Sequence, residues 1–448
     1  MKYKIVVITK GDKNFMKTKI QNIILIIFLF SYTTFAVVKN VVVMIGDGMG
    51  LAVIDFSRIV LVGKDGKLSF EKFPVVALVR THSYNSLVTD SAAAATALSC
   101  GIKTNNGYLG LSPEGKKITH IVELAKKNGK STGLVTTVSI SHATPAGFSA
   151  HSSSRDELPI AEQYVELKGM VDIFLGGGIE YFIPASQEGS KRKDERNLLE
   201  EFRSLGYTVV NSKEELLTLP VVKIDKLVGV FRHMDTTYFI DRKFVGRENL
   251  PTLAEMSKVA LQILLKNKNG FFLMIEGGKI DWACHSNDIA TAVAEISEFN
   301  DAVETVVEIL KNEPDSLIIV TADHETGGLS LSSGEYRFFP EKVGQQKISA
   351  AQIAKLLKDK TKEEIKTKFF EFTGINDLTD EEIEKIAKGN ALDIGRIISS
   401  RIEVGWSTKT HSGCSVPLYA IGKDAEVFSG VYDNTEVAKK IVQIMNLK

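Results

Sequence analysis

The sequence predicts an α/β fold, a central and mostly parallel sheet with helices on both faces. Strand-length apolar runs alternate with segments of helical period along the chain. Those runs are apolar throughout, as strands covered on both faces are, and do not alternate with polar residues. Acidic residues also recur just beyond such runs, where ligands gather at the carboxyl ends of parallel strands.

In chain order, strands are expected over residues 40–45, 75–81, 132–138, 172–175, 227–231, 271–275, 317–321 and 417–421. Helices are expected over 91–100, 118–128, 194–205, 252–266, 288–312 and 435–445, where the apolar spacing is helical. Residues from about 330 to 402 are rich in Lys and Glu and read as four helices with almost no strand signal. They are expected to form a helical insertion before the last strand, leaning over whatever site lies there. No repeat period of a solenoid or propeller is present.

The first 36 residues read as an export signal: Lys17 and Lys19 precede the apolar core 23–30, and Thr34-Phe35-Ala36 supplies small residues for cleavage. That core is short for a membrane span, and no Cys follows it to carry a lipid, so no stable membrane anchor is expected. Met16 stands where such a signal ordinarily starts, and the catalytic chain is expected to run over 37–448, periplasmic or secreted. Lys plus Arg equals Asp plus Glu at 55 each, and residues 1–36 hold six Lys against one Asp, so the remainder carries a net charge of about −5. That balance argues against a nucleic-acid partner. Three cysteines (100, 284, 414) without paired spacing do not indicate a disulfide framework; Cys284 and Cys414 read as small fillers.

Three carboxylates follow strongly apolar runs: Asp47, Glu276 and Asp323. One such acid is ordinarily a cap or turn residue. Three brought to one sheet edge would repel unless cations lay among them, which makes a metal site the economical reading. Histidine sharpens it. Of only eight, three lie beside acids: His285, four residues after Asp281; His324, next to Asp323; and His411. Residues four apart on a helix face the same way, and mixed imidazole and carboxylate donors suit zinc.

Ser91 begins an alanine-rich helix just after Asp90. It reads equally as a helix cap or as a hydroxyl presented to an anion at a positive helix end. No base adjoins it, so a nucleophilic Ser91 would need a metal ion to lower its pKa. Arg155 closes the run His-Ser-Ser-Ser-Arg at 151–155 and is able to grip two phosphate oxygens. The Gly run at 176–178 lacks the Lys-Ser/Thr of a phosphate-binding loop and reads as a turn.

Taken together these motifs resemble the alkaline phosphatase family. The matching stretches are IGDGMG (45–50), TDSAA (89–93), HATPA (142–146), AHSSSR (150–155), FLGGGIEYFIP (174–184), FFLMIEGGKID (271–281), TADHETGG (321–328) and THSG (410–413). They follow family order from residue 41 onward, the insertion aside. The resemblance implies that Asp281, His285 and His411 hold a first zinc, and Asp47, Asp323 and His324 a second, in contact with Ser91 as nucleophile. It implies that Asp47, Thr144 and Glu276 hold a third ion, usually magnesium, and that Arg155 binds the substrate phosphate. Small phosphate monoesters are the implied substrates, and a homodimer is what the family suggests. Two departures border the third site: His142 stands where some members carry Asp, and Trp282 where some carry Lys or His. Ser91 is followed by four alanines, unlike the Cys/Ser-x-Pro-x-Arg run of the related sulfatases.

Overall fold

The computed structural model describes residues 37–448; the export signal expected over residues 1–36, with its start at Met16, lies outside the described residues. Eight strands come first: β1 (Asn40–Gly46), β2 (Val75–Arg80), β3 (Ser131–Ser139), β4 (Ile173–Gly177), β5 (Thr208–Val210), β6 (Leu227–Val230), β7 (Phe271–Gly277) and β8 (Ser316–Thr321). Four two-residue strands follow, β9 (Glu325–Thr326), β10 (Leu329–Ser330), β11 (Gly405–Trp406) and β12 (His411–Ser412). The last are β13 (Val416–Gly422) and β14 (Gly430–Asp433).

Ten of them make one sheet in the order β14-β2-β13-β8-β1-β7-β3-β4-β6-β5, while β9 pairs with β12 and β10 with β11. From β8 across to β5 every pairing is parallel. Strand β13 alone runs antiparallel to both neighbours, β8 and β2. The reason lies in the connection: the chain leaves the carboxyl end of β8, passes through the helices between 350 and 402, and re-enters at the same edge. Every residue of β1, β7 and β8 is buried, which is why these runs are apolar throughout. Helices Leu51–Val62, Leu253–Leu264 and Ile289–Leu310 pack together on one face, and helices Ser91–Cys100, Ile121–Lys127 and Thr435–Ile444 cover the other.

The segment expected before the last strand lies instead between β10 and β11, with β12, β13 and β14 still to follow, and forms four helices, Ala350–Leu357, Lys362–Thr373, Asp380–Ala387 and Ala391–Ile402. Three helix starts at 361, 379 and 349 are capped by Thr or Ser. The segment docks on the turn that follows His285. Asn287 adopts the left-handed conformation (φ 50°), donates to the carbonyls of Cys284 and Thr408 at 3.0 Å each, and accepts from Arg396 Nε at 3.0 Å. The buried Asp288 carboxylate caps helix Ile289–Leu310 through Thr291 N (3.2 Å) and also takes Gln346 Nε2 (3.0 Å) and Ala350 N (2.6 Å). Each buried donor left without a partner costs roughly 1–3 kcal/mol, so this carboxylate fastens the segment to the chain that carries His285.

Candidate metal centre

Strand β1 lies between β7 and β8, with Ile45 in register with Glu276 on one side and Thr321 on the other. Asp47, Glu276 and Asp323 are thereby delivered to one edge, and all three are fully buried. The turn after β1 needs glycine: Gly48 has φ 71°, and a Cβ there would stand 2.9 Å from Asp281 Oδ1 and from Thr326 Oγ1. Its N–H donates to Asp323 Oδ1 at 3.1 Å, fixing that carboxylate.

Ser91 does not cap its helix. Asp90 does so, accepting from Ala93 N at 2.9 Å and from Gly107 N at 3.0 Å. The Ser91 hydroxyl is left free to face His324 Nε2 at 3.1 Å. The same nitrogen lies 3.1 Å from Asp323 Oδ2 and 3.4 Å from Asp47 Oδ1, while the opposite nitrogen, Nδ1, meets Thr326 Oγ1 at 3.2 Å. In a Ser-His-Asp triad the hydroxyl and the carboxylate sit on opposite ring nitrogens. Here both converge on one, which marks an ion position and not a proton relay.

Asp281 and His285 share the helix Lys279–His285, where their spacing of four places them on one side: Nε2 is 3.3 Å from Asp281 Oδ2. His411, from β12, brings its Nε2 to 3.2 Å from His285 Nε2 and 3.5 Å from Asp281 Oδ1. The Nδ1 atoms of both rings lie against backbone carbonyls, Lys409 O at 2.7 Å and Thr89 O at 2.8 Å. A carbonyl only accepts, so each Nδ1 carries the proton and the two Nε2 lone pairs point at one another. Such an arrangement is stable around a cation, and carbonyl acceptors behind the ligand rings are its usual support.

A third group of donors surrounds Asp47. Thr144 Oγ1 is 3.4 Å from Asp47 Oδ2, Thr136 Oγ1 donates to Glu276 Oε2 at 2.5 Å, and Asp47, His142 and Glu276 offer ligand atoms within 4.8 Å of one another. Trp282 stands edge-on to His142 with ring centroids 5.9 Å apart. Burial, reinforced by the charges of Asp323, Asp281 and Glu276, pushes the Asp47 carboxyl well above its usual range. Burial also carries Glu276 to about 7, against hydrogen bonds from Thr136 and Thr144 that pull it down. Asp47 Oδ1, Asp323 Oδ2, Glu276 Oε1 and His142 Nδ1 are buried without a hydrogen-bond partner. Orphaned acceptors of this kind are costly unless paired, and the imidazole and carboxylate donors fit divalent metal ions.

Arg155 stands at the rim, its side chain 37% exposed, with Nη1 3.3 Å from Asp90 Oδ2. The acid that caps the Ser91 helix therefore also steadies this arginine. Cys284 is buried and Cys414 exposed, and neither belongs to a metal-binding group among the described residues. Sequence reasoning missed Thr136, which only the register of β3 against β7 sets beside Glu276. It also missed Thr326, whose hydroxyl donates to Asp281 Oδ1 at 2.6 Å; its place two residues after His324 was the available signal.

A family model for alkaline phosphatase matches residues 38–447. This chain belongs to the alkaline phosphatase family. It is 36% identical to alkaline phosphatase 3 of Bacillus subtilis (strain 168), over 91% of this chain and 89% of that one. The crystal structure of Thermus thermophilus alkaline phosphatase superposes with a TM-score of 0.83 at 29% identity, covering 92% of each chain. The alkaline phosphatase of the Antarctic bacterium TAB5 matches at 29% identity and a TM-score of 0.66, covering 92% of this chain and 99% of its own. Variants of that enzyme with a histidine replaced by Asp or Glu have Mg bound in the M3 site. As an alkaline phosphatase, the chain is a metal-dependent phosphomonoester hydrolase with the expected α/β fold.

The raised Glu276 carboxyl sets a pH dependence for ion binding. A group whose pKa lies near 7 holds its proton on the acid side, and a cation must displace it. Affinity at the Asp47–Thr144–Glu276 position is therefore expected to rise with pH, the part due to Glu276 ending above about 7. Calorimetry of Mg²⁺ binding below that pH, in buffers of different ionisation enthalpy, should detect proton release that is smaller in Glu276→Gln, with Asp47 supplying the remainder.

Proposed function

We propose that this phosphatase hydrolyses phosphate monoesters through a phosphoserine on Ser91. In this reading Asp281, His285 and His411 hold one zinc ion, Asp47, Asp323 and His324 a second, and Asp47, Thr144 and Glu276 a third ion, magnesium. The observation that carries it is the uncapped Ser91 hydroxyl, 3.1 Å from the His324 nitrogen on which two carboxylates converge. Bound there, paired zinc ions would lower the pKa of the hydroxyl and neutralise charge on the departing alcohol oxygen.

The chain's own residues do the rest. Ser91 Oγ attacks phosphorus in line, the P–O bond to the alcohol breaks, and water later attacks phosphoserine from the vacated side. Among the described residues no other side-chain base is hydrogen-bonded to the Ser91 hydroxyl, and His324 Nε2 faces the ion position, so the proton leaves to solvent. Arg155, steadied by Asp90, pairs with the non-bridging phosphate oxygens. The amino end of helix Ser91–Cys100 adds a positive dipole end beside the developing charge.

Export through residues 1–36 belongs to the same proposal, as does a homodimer on family grounds. Among the described residues no helix is long and apolar enough to cross a membrane. Sequencing of the secreted protein should find its amino terminus at residue 37, and an unprocessed Met1 would refute export by cleavage.

Ser91→Ala should lower kcat on p-nitrophenyl phosphate by about a thousandfold or more while metal content is kept. Acid quenching of wild type should trap phosphate on the Ser91 peptide, detected by mass spectrometry, and phosphate on any other residue would remove Ser91 from its role. His142→Asp should strengthen Mg²⁺ binding at the third position, because it replaces an unpartnered buried imidazole by a hard oxygen donor. A magnesium titration of activity in the two proteins checks this; an unchanged midpoint counts against His142 as the residue that weakens magnesium there.

A further inference from the structure

Of the eight histidines in the chain, the centre and its border use four. Two others, His120 and His151, lie together elsewhere, with ring centroids 4.5 Å apart. His120 is the N-cap of helix Ile121–Lys127, and His151 begins the run that ends at Arg155. Each ring has one nitrogen against a backbone carbonyl: His120 Nε2 is 3.1 Å from Ala150 O, and His151 Nδ1 is 2.7 Å from Gly110 O. Those nitrogens carry the protons, so the neutral rings present their acceptor nitrogens at His120 Nδ1 and His151 Nε2.

One carboxylate oxygen lies near both nitrogens, and His120 Nδ1 is aligned with it. Glu123 Oε2 is 3.1 Å from His120 Nδ1 and 3.9 Å from His151 Nε2. The same oxygen accepts the backbone N–H of His120 at 2.8 Å, which holds Glu123 in place. Two imidazole lone pairs and a carboxylate whose ligand atoms all lie within 4.8 Å of one another repel unless positive charge lies among them. A proton shared by His120 and Glu123 would satisfy that pair but leave His151 Nε2 facing an anionic oxygen. A divalent ion satisfies all three. Ligands at about 2.0–2.1 Å from a tetrahedral zinc stand about 3.3 Å apart, a spacing that 3.1 and 3.9 Å bracket. The pattern repeats that of His285 and His411, whose far nitrogens also rest on carbonyls.

We propose that His120, Glu123 and His151 form a further metal site for a borderline divalent ion such as zinc, with solvent in the fourth position. The His120 side chain is wholly buried, while Glu123 and His151 keep 21% and 11% of theirs exposed, which leaves one side open to water. The ion clamps the start of helix Ile121–Lys127 to the segment that pairs Ser152 with Leu109 and leads on to Arg155. Its role is structural: it fixes the origin of the run that carries the phosphate-binding arginine.

The test counts metal in the full-length holoenzyme. Wild type, His120→Asn and Glu123→Gln would each be equilibrated with Zn²⁺, freed of excess by gel filtration and measured for zinc per chain. Asn is a good N-cap and Gln serves at the third helical position, so both variants keep the capping box. Wild type should hold about one zinc more than either variant, and equal content in all three overturns the proposal. Loss of ions from the centre around Ser91 would lower all three alike, so the two readings fail separately. Should a variant not fold, anomalous diffraction from wild-type crystals at the zinc edge decides: a peak among the three side chains supports the site, and none rules it out.

Discussion

Four carboxylates, Asp47, Glu276, Asp281 and Asp323, are buried together at the carboxyl edge of the sheet, and as anions they repel. Desolvation alone makes each costly, and their proximity compounds it, as the upward displacement of Asp47 and Glu276 reflects. Much of the surrounding structure answers this constraint. Imidazoles are inserted between the acids, with Nε2 atoms aimed inward, and hydroxyls and two backbone N–H groups occupy some of the remaining lone pairs. What these neutral groups leave unanswered is charge, and the donor types select the divalent ions that supply it.

Orientation is the second requirement, and the backbone provides it. The carbonyls of Lys409 and Thr89 hold two rings by their outer nitrogens. Thr89 lies two residues before Ser91, so one short stretch both positions the His411 ring and presents the proposed nucleophile. Asp90 between them caps the helix and meets Arg155. The proposed nucleophile, a ring of the candidate metal centre and Arg155 are thus tied through three consecutive residues, and a shift in any one would move the others.

Seven of the eight expected strands are covered on both faces and leave an unbroken apolar run, which a single sequence displays; β2 shows such a run although Val76 and Leu78 are exposed. The edge strands β5 and β14 escaped notice for the opposite reason: three or four residues, partly exposed, carry no such run. The acids at strand ends and the His285 spacing were legible because local geometry dictates them. Ser91 was ambiguous because a hydroxyl at a helix start serves equally well as a cap, and only the observed contacts of Asp90 relieve it of that duty. Thr144 entered through family resemblance alone. Thr136, and the grouping of His120 with His151, depend on which strands and loops lie side by side, which no local pattern encodes.

The ligands are drawn from nearly the whole length of the chain, from Asp47 beside the first strand to His411 just before β13. A nascent polypeptide therefore owns most of its donors long before it owns a complete site. The final histidine arrives only after the helical segment docked on Asn287 and Asp288 has been made. Closure of the centre is then a late, long-range event, slow in the way that distant contacts are slow to form. Ions bound at this candidate centre would tie distant parts of the sequence together, coupling metal binding to folding.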